Sequence, residues 1–412
     1  MDDFYDDLET RSADARAAAL FRDLPNQIAN AKDNTAYYAS LFRSVDPESI
    51  GDQESLATLP VTRKSDLIRL HQERPPFGGL ATAAPGRLRR VFQSPGPIYD
   101  AEGAGPDYWR TARAFHAAGF RAGGVIHNAF AYHLTPAGAM VEAGAEALGC
   151  AVFPAGTGST DLQVRAIVDL RPAYFTGTPS FLKVLLTRGL EAGADLSSLG
   201  NASVAGEALP ASLRGELRTL GVRVTQWYAA DDLGLIAYES EAADGLIVDE
   251  GVIVEIVRPG SGQPVPHGEV GEVVVTTFTR EYPLIRFATG DLSAVLSGQS
   301  ACGRTNMRLR GWLGRADQTT KVRGMFVHPS QVADVMKRHP ELLRARLVVD
   351  SHQGNDTMTL RCESVGVDAT SVEQTVQALC KLRARVEIVP PGTLANDGKI
   401  IDDIRGREDT GD

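Results

Sequence analysis

The sequence predicts an α/β protein with a large N-terminal domain of mostly parallel sheets, a small antiparallel β element and a small α+β C-terminal domain. Three observations support this class. Helix-like and strand-like segments alternate between residues 106 and 240, a rhythm typical of crossover units and a parallel sheet. Two strand-like runs joined by a Gly- and Pro-rich turn follow residue 245. Strand-like runs around one helix-like segment then fill the chain beyond residue 316.

The N-terminal part is predicted to be helical over residues 12–43. Leu20, Leu24 and Ile28 lie at intervals of four residues, which gives one apolar stripe on a helix. In the segment LPVTRKSDLIRL, Thr62 followed by Asp66 and Leu67 indicates a second helix start.

The alternating region supplies the elements of the parallel sheet. Helices are predicted over 106–118, 136–148 and 160–170 and in FLKVLLTRGL. Short apolar runs indicate the intervening strands: GGVIHNAFAY, CAVFPA, AYFTGTP, NASVAGEAL and VRVTQWYAA.

The last third of the chain is predicted to have a different organisation. GVIVEIVRPGSGQPVPHGEVGEVVVTTF has the pattern of an antiparallel hairpin. Beyond GWLGRADQTTKVRG, the strands RLVVD and TMTLRCE flank a turn, and a helix over 371–382 and the strand RVEIVPP follow. This region is the predicted α+β module.

Composition excludes several function classes. The 412 residues carry 42 Lys and Arg against 52 Asp and Glu, a formal charge of −10, whereas nucleic-acid binders normally present a basic face. No stretch has the ~18 apolar residues that indicate a membrane span. Four widely spaced cysteines without a CxxC pair suit a reducing compartment, and the acidic N-terminus has no secretory pattern. We therefore expect a cytoplasmic protein with no nucleic-acid or membrane partner.

Generic catalytic motifs do not identify an activity. GxxxxGK[ST], GxSxG and HExxH are absent, and GTGSTD at 156–161 lacks the third glycine of a dinucleotide loop. His127 and His133 do not have the spacing of a metal site on a helix. Without further information the chain is interpreted as an α/β protein, most simply an enzyme.

Five strings in order resemble one known family: AGEAL (205–209), WYAADDLG (227–234), FATGD (287–291), GRADQTTKVRGMFVHPSQV (314–332) and DGKIIDDIR (397–405). They are similar to those of the AMP-forming adenylating enzymes, which include the acyl-coenzyme A ligases, and most similar to those of the phenylacetate–coenzyme A ligase branch. The resemblance implies an AMP-binding adenylation domain over 1–315 and a mobile lid domain over 316–412. It also implies ATP-dependent activation of a carboxylic acid through an acyl-adenylate, followed by transfer to a thiol.

The resemblance assigns candidate nucleotide-binding and catalytic residues. Asp291 would bind the ribose hydroxyls, although an aspartate that caps a turn is the alternative. Arg315 would grip the nucleotide, or be a plain surface arginine. Asp317 would be the hinge and Lys399 the catalytic lysine, against the alternative of an ordinary exposed lysine. The walls around adenine would come from five residues: Gly206, Glu207, Trp227, Tyr228 and Ala229.

Two departures from the family pattern affect phosphate and magnesium binding. The loop that should cradle the phosphates reads QSPGPIYD: Ser94 and Gly96 match the pattern, but no lysine or threonine is present. Two prolines remove backbone N–H donors from this loop, and Asp100 and Glu102 add charge of the wrong sign. The family's magnesium glutamate corresponds to Asp232, which can still ligate Mg²⁺ through oxygen. Of the zinc ligands of this branch only Cys302 is kept, so we expect no zinc.

Five residues are candidates for the acyl pocket: Phe130, Tyr132, His133, Thr178 and Pro179. Aromatic and small residues together favour a flat aryl or arylacetic acid, although the same residues could be ordinary core. The leading hypothesis is therefore a ligase that uses ATP and Mg²⁺ to activate an aromatic carboxylate and passes it to coenzyme A. The alternatives are an amine or carrier-protein acceptor, and a non-catalytic relative that binds a nucleotide or acyl-adenylate. A homodimer is left open.

Overall fold

The computed structural model describes residues 3–94, 97–323, 325–352, 355–395 and 399–405. No helix in these ranges is long and apolar enough to cross a membrane. The chain forms two compact units. The larger runs to Thr289 and includes Ser293–Trp312, and the smaller comprises Gly290–Leu292 and the chain from Leu313 onward, whereas the sequence analysis places the division after residue 315.

The helices of the larger unit are α1 (Ala13–Asn34), α2 (Ala36–Leu41), α3 (Gln53–Ala57), α4 (Leu67–Glu73), α5 (Ala112–Ala117), α6 (Ala137–Leu148), α7 (Thr160–Leu170), α8 (Pro179–Glu191) and α9 (Ala211–Thr219). Those of the smaller unit are α10 (Pro329–Arg338) and α11 (Ala369–Cys380).

The first twelve strands, all in the larger unit, are β1 (Thr62–Arg63), β2 (Arg90–Ser94), β3 (Ile98–Glu102), β4 (Val125–Asn128), β5 (Ala151–Pro154), β6 (Tyr174–Gly177), β7 (Asn201–Val204), β8 (Arg223–Ala230), β9 (Gly234–Glu239), β10 (Leu246–Val248), β11 (Val252–Val257) and β12 (Gly271–Thr277). The later strands are β13 (Phe287–Ser293), β14 (Val295–Leu296), β15 (Arg308–Leu309), β16 (Thr320–Val322), β17 (Met325–Val327), β18 (Arg344–His352), β19 (Asn355–Glu363), β20 (Arg385–Val389) and β21 (Ile401–Asp403).

The largest sheet confirms the predicted class. Its order is β14-β15-β10-β9-β8-β7-β6-β4-β5, with parallel pairing from β5 to β8 and antiparallel pairing from β8 to β14. Apolar residues cover both faces, as a parallel sheet requires. Phe175 packs with α7 and α8 on one face, and Ile126 with α5 and α6 on the other. The segments that follow the parallel strands β4, β6 and β7, together with the end of β8, carry the predicted acyl and adenine residues.

Smaller sheets complete the two units. In the larger unit the predicted hairpin is antiparallel β11–β12, within a sheet of order β1-β13-β12-β11, and β2 and β3 form a separate antiparallel ribbon. In the smaller unit the order is β20-β19-β18-β21, and the sheet packs with α10 and α11 around one core. This unit has the predicted α+β organisation.

The predicted helix over 106–118 is wrong in its first half. Helix α5 begins only at Ala112, because Asp107 and Arg110 have positive φ angles of 41° and 63°, which interrupt a right-handed helix. The Asp107 carboxylate instead accepts the backbone N–H groups of Thr111 and Ala112 at 3.0 and 3.1 Å.

The N-terminal segment is anchored in the larger unit. Glu9 is fully buried, accepts the Tyr238 hydroxyl at 2.8 Å and pairs with Arg304 at 3.2 Å and Arg113 at 3.4 Å. The backbone N–H of Thr305 donates to the Glu9 carbonyl at 3.0 Å. An acidic segment without apolar residues at regular spacing is therefore fixed by buried ion pairs.

Candidate active site

An aromatic and small-residue wall forms where β7 and β8 end. Gly206 follows β7 with a φ of 81°, and a Cβ there would lie 3.7 Å from Thr178 Cγ2 and 3.9 Å from Phe130 Cε1. The Phe130 ring packs edge-on against Trp227 of β8, with centroids 5.8 Å apart. Four predicted residues from four separate segments are thus neighbours, in a surrounding that suits a flat apolar group.

Helix α8 begins beside this wall. The Thr178 hydroxyl caps the helix by accepting the backbone N–H of Phe181 at 3.3 Å, and Pro179 is its buried first residue, both favoured at a helix start. Glu207 is exposed, and its Oε2 accepts the backbone N–H of Ser180 at 3.4 Å. The predicted acyl and adenine residues therefore meet at this helix terminus.

The segment after β4 holds Tyr132 but exposes His133. Asn128 Nδ2 donates to the Tyr132 hydroxyl at 2.8 Å and to the Gly138 carbonyl at 3.1 Å. Burial, and next the charge of Glu142, raise the pKa of Tyr132, so the phenol stays neutral. His133 lies on the surface, away from the buried contacts that Phe130 makes.

The candidate magnesium ligand, Asp232, lies two residues after the end of β8. The Tyr228 hydroxyl donates to Thr289 Oγ1 at 3.3 Å, and the β8–β9 register shifts between Tyr228 and Ala229. Past this bulge the Asp232 side chain has no exposed surface. Bulges commonly redirect side chains beside active sites.

Asp232 is paired with a lysine for which the sequence analysis gave no role. Lys64 Nζ donates to Asp232 Oδ2 at 2.5 Å, and the Lys64 side chain is 26% exposed. Asp232 Oδ1 is buried and has no hydrogen-bond partner among the described residues. Burial lowers the pKa of Lys64, but the charge and hydrogen bond of Asp232, together with the charges of Asp231 and Asp100, leave that pKa raised. The ammonium is therefore held charged against one carboxylate oxygen.

The β2–β3 ribbon takes the place of the expected phosphate loop. Ser94 is buried at the end of β2, and its hydroxyl donates to the Ile98 carbonyl at 3.5 Å, whereas Gly96 lies outside the described residues. Asp100 of β3 is fully buried. Burial, and next the charge of Asp232, raise the pKa of Asp100 well above its ordinary value.

The smaller unit brings three predicted residues together. Arg315 Nη1 donates to Asp291 Oδ1 at 3.1 Å, and Arg315 Nε lies 3.4 Å from Asp317 Oδ1. The backbones of Asp291 and Arg315 also form an isolated antiparallel bridge. Gly290 has a φ of 77°, which favours glycine, and a Cβ there would lie 2.5 Å from Arg315 Nη2, so a larger residue would displace the guanidinium.

Lys399 precedes β21 in the same unit. Its Nζ lies 3.7 Å from Asp402 Oδ1, with 46% of the side chain exposed. Its backbone carbonyl accepts Arg346 Nε at 3.1 Å. The ammonium is thus partly exposed beside a carboxylate, and the backbone is fixed by a hydrogen bond.

Polar contacts surround Cys302. Its sulfur lies 3.0 Å from Ser300 Oγ, and that hydroxyl donates to Asp244 Oδ1 at 3.0 Å. Arg308 Nη1 pairs with Asp244 Oδ2 at 2.9 Å. Within the described ranges no group of three or more His, Cys, Asp and Glu residues could hold a metal ion. The expectation of no zinc stays a prediction.

Residues 127–279 match the family model of the AMP-binding enzymes. The crystal structure of 2-hydroxyisobutyryl-CoA ligase in an open conformation, with 2-HIB-AMP and CoA, has a TM-score of 0.83. It is 24% identical to this chain, and the match covers 96% of this chain and 93% of that one. The chain therefore shares the fold of that structure.

Two curated relatives cover most of the chain. The phenylacetate-coenzyme A ligase of Thermus thermophilus is 31% identical over 380 residues, which are 87% of this chain and 84% of that protein. The phenylacetate-coenzyme A ligase of Escherichia coli is 30% identical over 402 residues, 93% and 90% of the two chains. The chain belongs to the phenylacetate–coenzyme A ligase family of AMP-forming adenylating enzymes.

Proposed function

We propose that this enzyme activates an aromatic carboxylate, of the phenylacetate or benzoate type, and transfers it to coenzyme A. The observation that carries the aromatic assignment is the wall of Phe130, Trp227, Thr178 and Gly206. An edge-on aromatic pair beside a glycine whose Cβ position lies in van der Waals contact with Thr178 and Phe130 forms an apolar surrounding that suits a flat ring. The names of the two curated relatives support the same substrate class.

The residues around Asp232 fit a magnesium ion. A buried carboxylate oxygen without a hydrogen-bond partner among the described residues is a suitable ligand for a hard cation. When bound, the ion would supply positive charge to the phosphates of ATP. Lys64 holds the other oxygen of Asp232 and thereby fixes the orientation of the carboxylate.

The smaller unit would supply the remaining polar groups. In this proposal Asp291 accepts the ribose hydroxyls, while Arg315 holds its carboxylate in place through the 3.1 Å bond. Lys399 carries the charge that neutralises the attacking carboxylate and the α-phosphate in the adenylation step. Asp317 is proposed as the hinge and residues 316–412 as the lid, as the family resemblance implies.

Pyrophosphate exchange tests the substrate. The enzyme is incubated with ATP, Mg²⁺, labelled pyrophosphate and one acid at a time: phenylacetate, benzoate, 2-hydroxyisobutyrate or acetate. We expect exchange with the aryl acids to exceed exchange with the two small acids. A preference for 2-hydroxyisobutyrate or acetate would contradict the aromatic assignment.

Product analysis tests the acceptor. The preferred acid is supplied with ATP and either coenzyme A or a panel of amines, and the products are identified by mass spectrometry. A thioester as the product supports the proposal. An amide formed while coenzyme A is ignored would instead support the alternative acceptor. Since the chain is an enzyme of this class, the non-catalytic alternative is not retained.

A further inference from the structure

Several buried polar groups near Asp232 have no hydrogen-bond partner within the described part of the chain. They are both carboxylate oxygens of Asp100, Asp232 Oδ1, His71 Nε2 and the Tyr282 hydroxyl. All four side chains belong to residues more than nine-tenths buried. Buried polar groups are normally satisfied, so this set points to something that lies between them.

The hydrogen-bonding state of two of these groups follows from their neighbours. His71 Nδ1 accepts the backbone N–H of Tyr99 at 3.1 Å, so a neutral His71 carries its proton on Nε2. Burial, and next the charges of Asp232 and Asp100, raise the pKa of Tyr282, so its hydroxyl keeps its proton. A phenol and an imidazole N–H thus share the site with two carboxylates but do not reach them.

The charge of the cluster favours a cation. Besides burial, the charges of Asp232 and Asp231 raise the pKa of Asp100, whereas the charge of Lys64 lowers it. Three carboxylates against one ammonium leave an excess of negative charge in a buried place, where unpaired charge is costly. The backbone of Asp100 is paired opposite Phe92 in the β2–β3 ribbon.

We propose that Asp100 supplies a second carboxylate, beside Asp232, for one divalent cation. This inference deepens the proposed function, which assigns the ion to Asp232 alone. Mg²⁺ commonly takes one or two carboxylates and retains several waters. Those waters fill the gap to the Tyr282 hydroxyl and the His71 ring. The ribbon lacks the lysine of the expected phosphate loop, and a cation anchored by two carboxylates supplies positive charge in its place.

Mn²⁺ binding without nucleotide or acid tests the site directly. Free Mn²⁺ is measured by electron paramagnetic resonance as the ion is titrated into the full-length protein. We expect one site in the wild type, and binding at least about tenfold weaker in Asp100→Asn, since loss of even an outer-shell group costs that much. Asp231→Asn removes the same charge from the same cluster and should weaken binding less.

Lys64→Met should change the affinity for Mn²⁺ in the opposite direction from Asp100→Asn. It frees Asp232 Oδ2 from the 2.5 Å ammonium contact and removes a nearby positive charge, so Mn²⁺ should bind more tightly than to the wild type. Unchanged or weaker binding in Lys64→Met would count against a cation at this carboxylate.

Thermal unfolding separates ligation from a purely structural role. Without metal, Asp100→Asn should melt at a higher temperature than the wild type, because it removes a buried charge that is repelled by Asp232 and Asp231. Mn²⁺ should raise the melting temperature of the wild type and leave that of Asp100→Asn nearly unchanged.

The inference is overturned if Asp100→Asn binds Mn²⁺ as the wild type does, or if Asp231→Asn loses as much affinity. These readouts need no catalysis. Acid-dependent exchange in the wild type together with unaltered Mn²⁺ binding in Asp100→Asn would therefore reject this inference alone, whereas absent exchange together with lost Mn²⁺ binding would reject only the proposed reaction.

Discussion

Lys64 and Asp232 form a short ion pair, with 2.5 Å between Lys64 Nζ and Asp232 Oδ2, although 168 positions separate them in the chain. One residue follows β1 and the other follows β8, so the fold alone brings them together. The carboxylate is fully covered while the lysine keeps some exposure. Loss of the lysine therefore leaves a buried charge behind.

Lys64→Met should lower the free energy of unfolding by about 3 kcal/mol in metal-free buffer, because breaking a buried pair from one side leaves an uncompensated charge. Urea denaturation measures this. Lys183→Met, at an exposed pair with Glu216, is the matched control and should stay within about 0.5 kcal/mol. If both variants lost the same free energy of unfolding, the burial of Asp232 would not be the cause of the loss.

Lys399→Ala should abolish acid-dependent pyrophosphate exchange but leave transfer from preformed acyl-adenylate to coenzyme A largely intact. The reason is that the ammonium neutralises charge only when the carboxylate attacks phosphorus. Lys337→Ala, also in the smaller unit with 76% of its side chain exposed, should retain both steps. Parallel loss of both steps in Lys399→Ala would refute the assigned role.

Phe130→Leu should reduce kcat/KM for the aryl acid by about tenfold or more relative to acetate, because a truncated apolar pocket discriminates by ~1–3 kcal/mol. Steady-state kinetics on both acids gives the ratio. Phe120→Leu is the control: Phe120 is buried and stacks on Tyr174 with centroids 4.4 Å apart. It should lower stability while leaving the ratio unchanged. If Phe130→Leu also leaves the ratio unchanged, Phe130 does not contact the acid.

Asp107 should make the protein less stable as pH rises from about 4 to about 6. Burial raises the pKa of Asp107 to about 6, above its value in the unfolded chain. The folded state therefore binds the proton more tightly than the unfolded chain does. As the carboxyl ionises, the free energy of unfolding falls by up to about 3 kcal/mol for a shift of about two pKa units.

Denaturation at pH 4.5 and pH 7 compares the wild type with Asp107→Asn, whose amide oxygen can still accept a backbone N–H at the start of α5. The variant should lose less stability between the two values. Identical losses would exclude Asp107 as a source of the pH dependence.

The alternating region was predictable because its signals are local. The apolar runs that become β4 to β8 and the helices between them depend on short-range periodicity, and the structure confirms that organisation. Strand β9 and helix α9 were not predicted. Helix α9 has few apolar residues, with Leu217 as its buried one, and β9 continues directly from the turn after β8.

The site was predictable only where a motif marks it. Asp232 stands in a recognisable string, and Phe130, Thr178, Gly206 and Trp227 do meet. Lys64, His71 and Tyr282 gave no such signal, because their importance comes from contacts between segments far apart in the chain. One clue was present: Lys64 is one of only seven lysines in the chain.

The buried contacts of Glu9 determine when its segment can fold. Its partners at Arg113, Tyr238, Arg304 and Thr305 include residues synthesised almost 300 positions later. Such distant contacts form slowly, and during synthesis the chain folds from its N-terminus onward. The segment around Glu9 must therefore wait until residue 305 has been synthesised, so it is among the last parts of the larger unit to reach its final place.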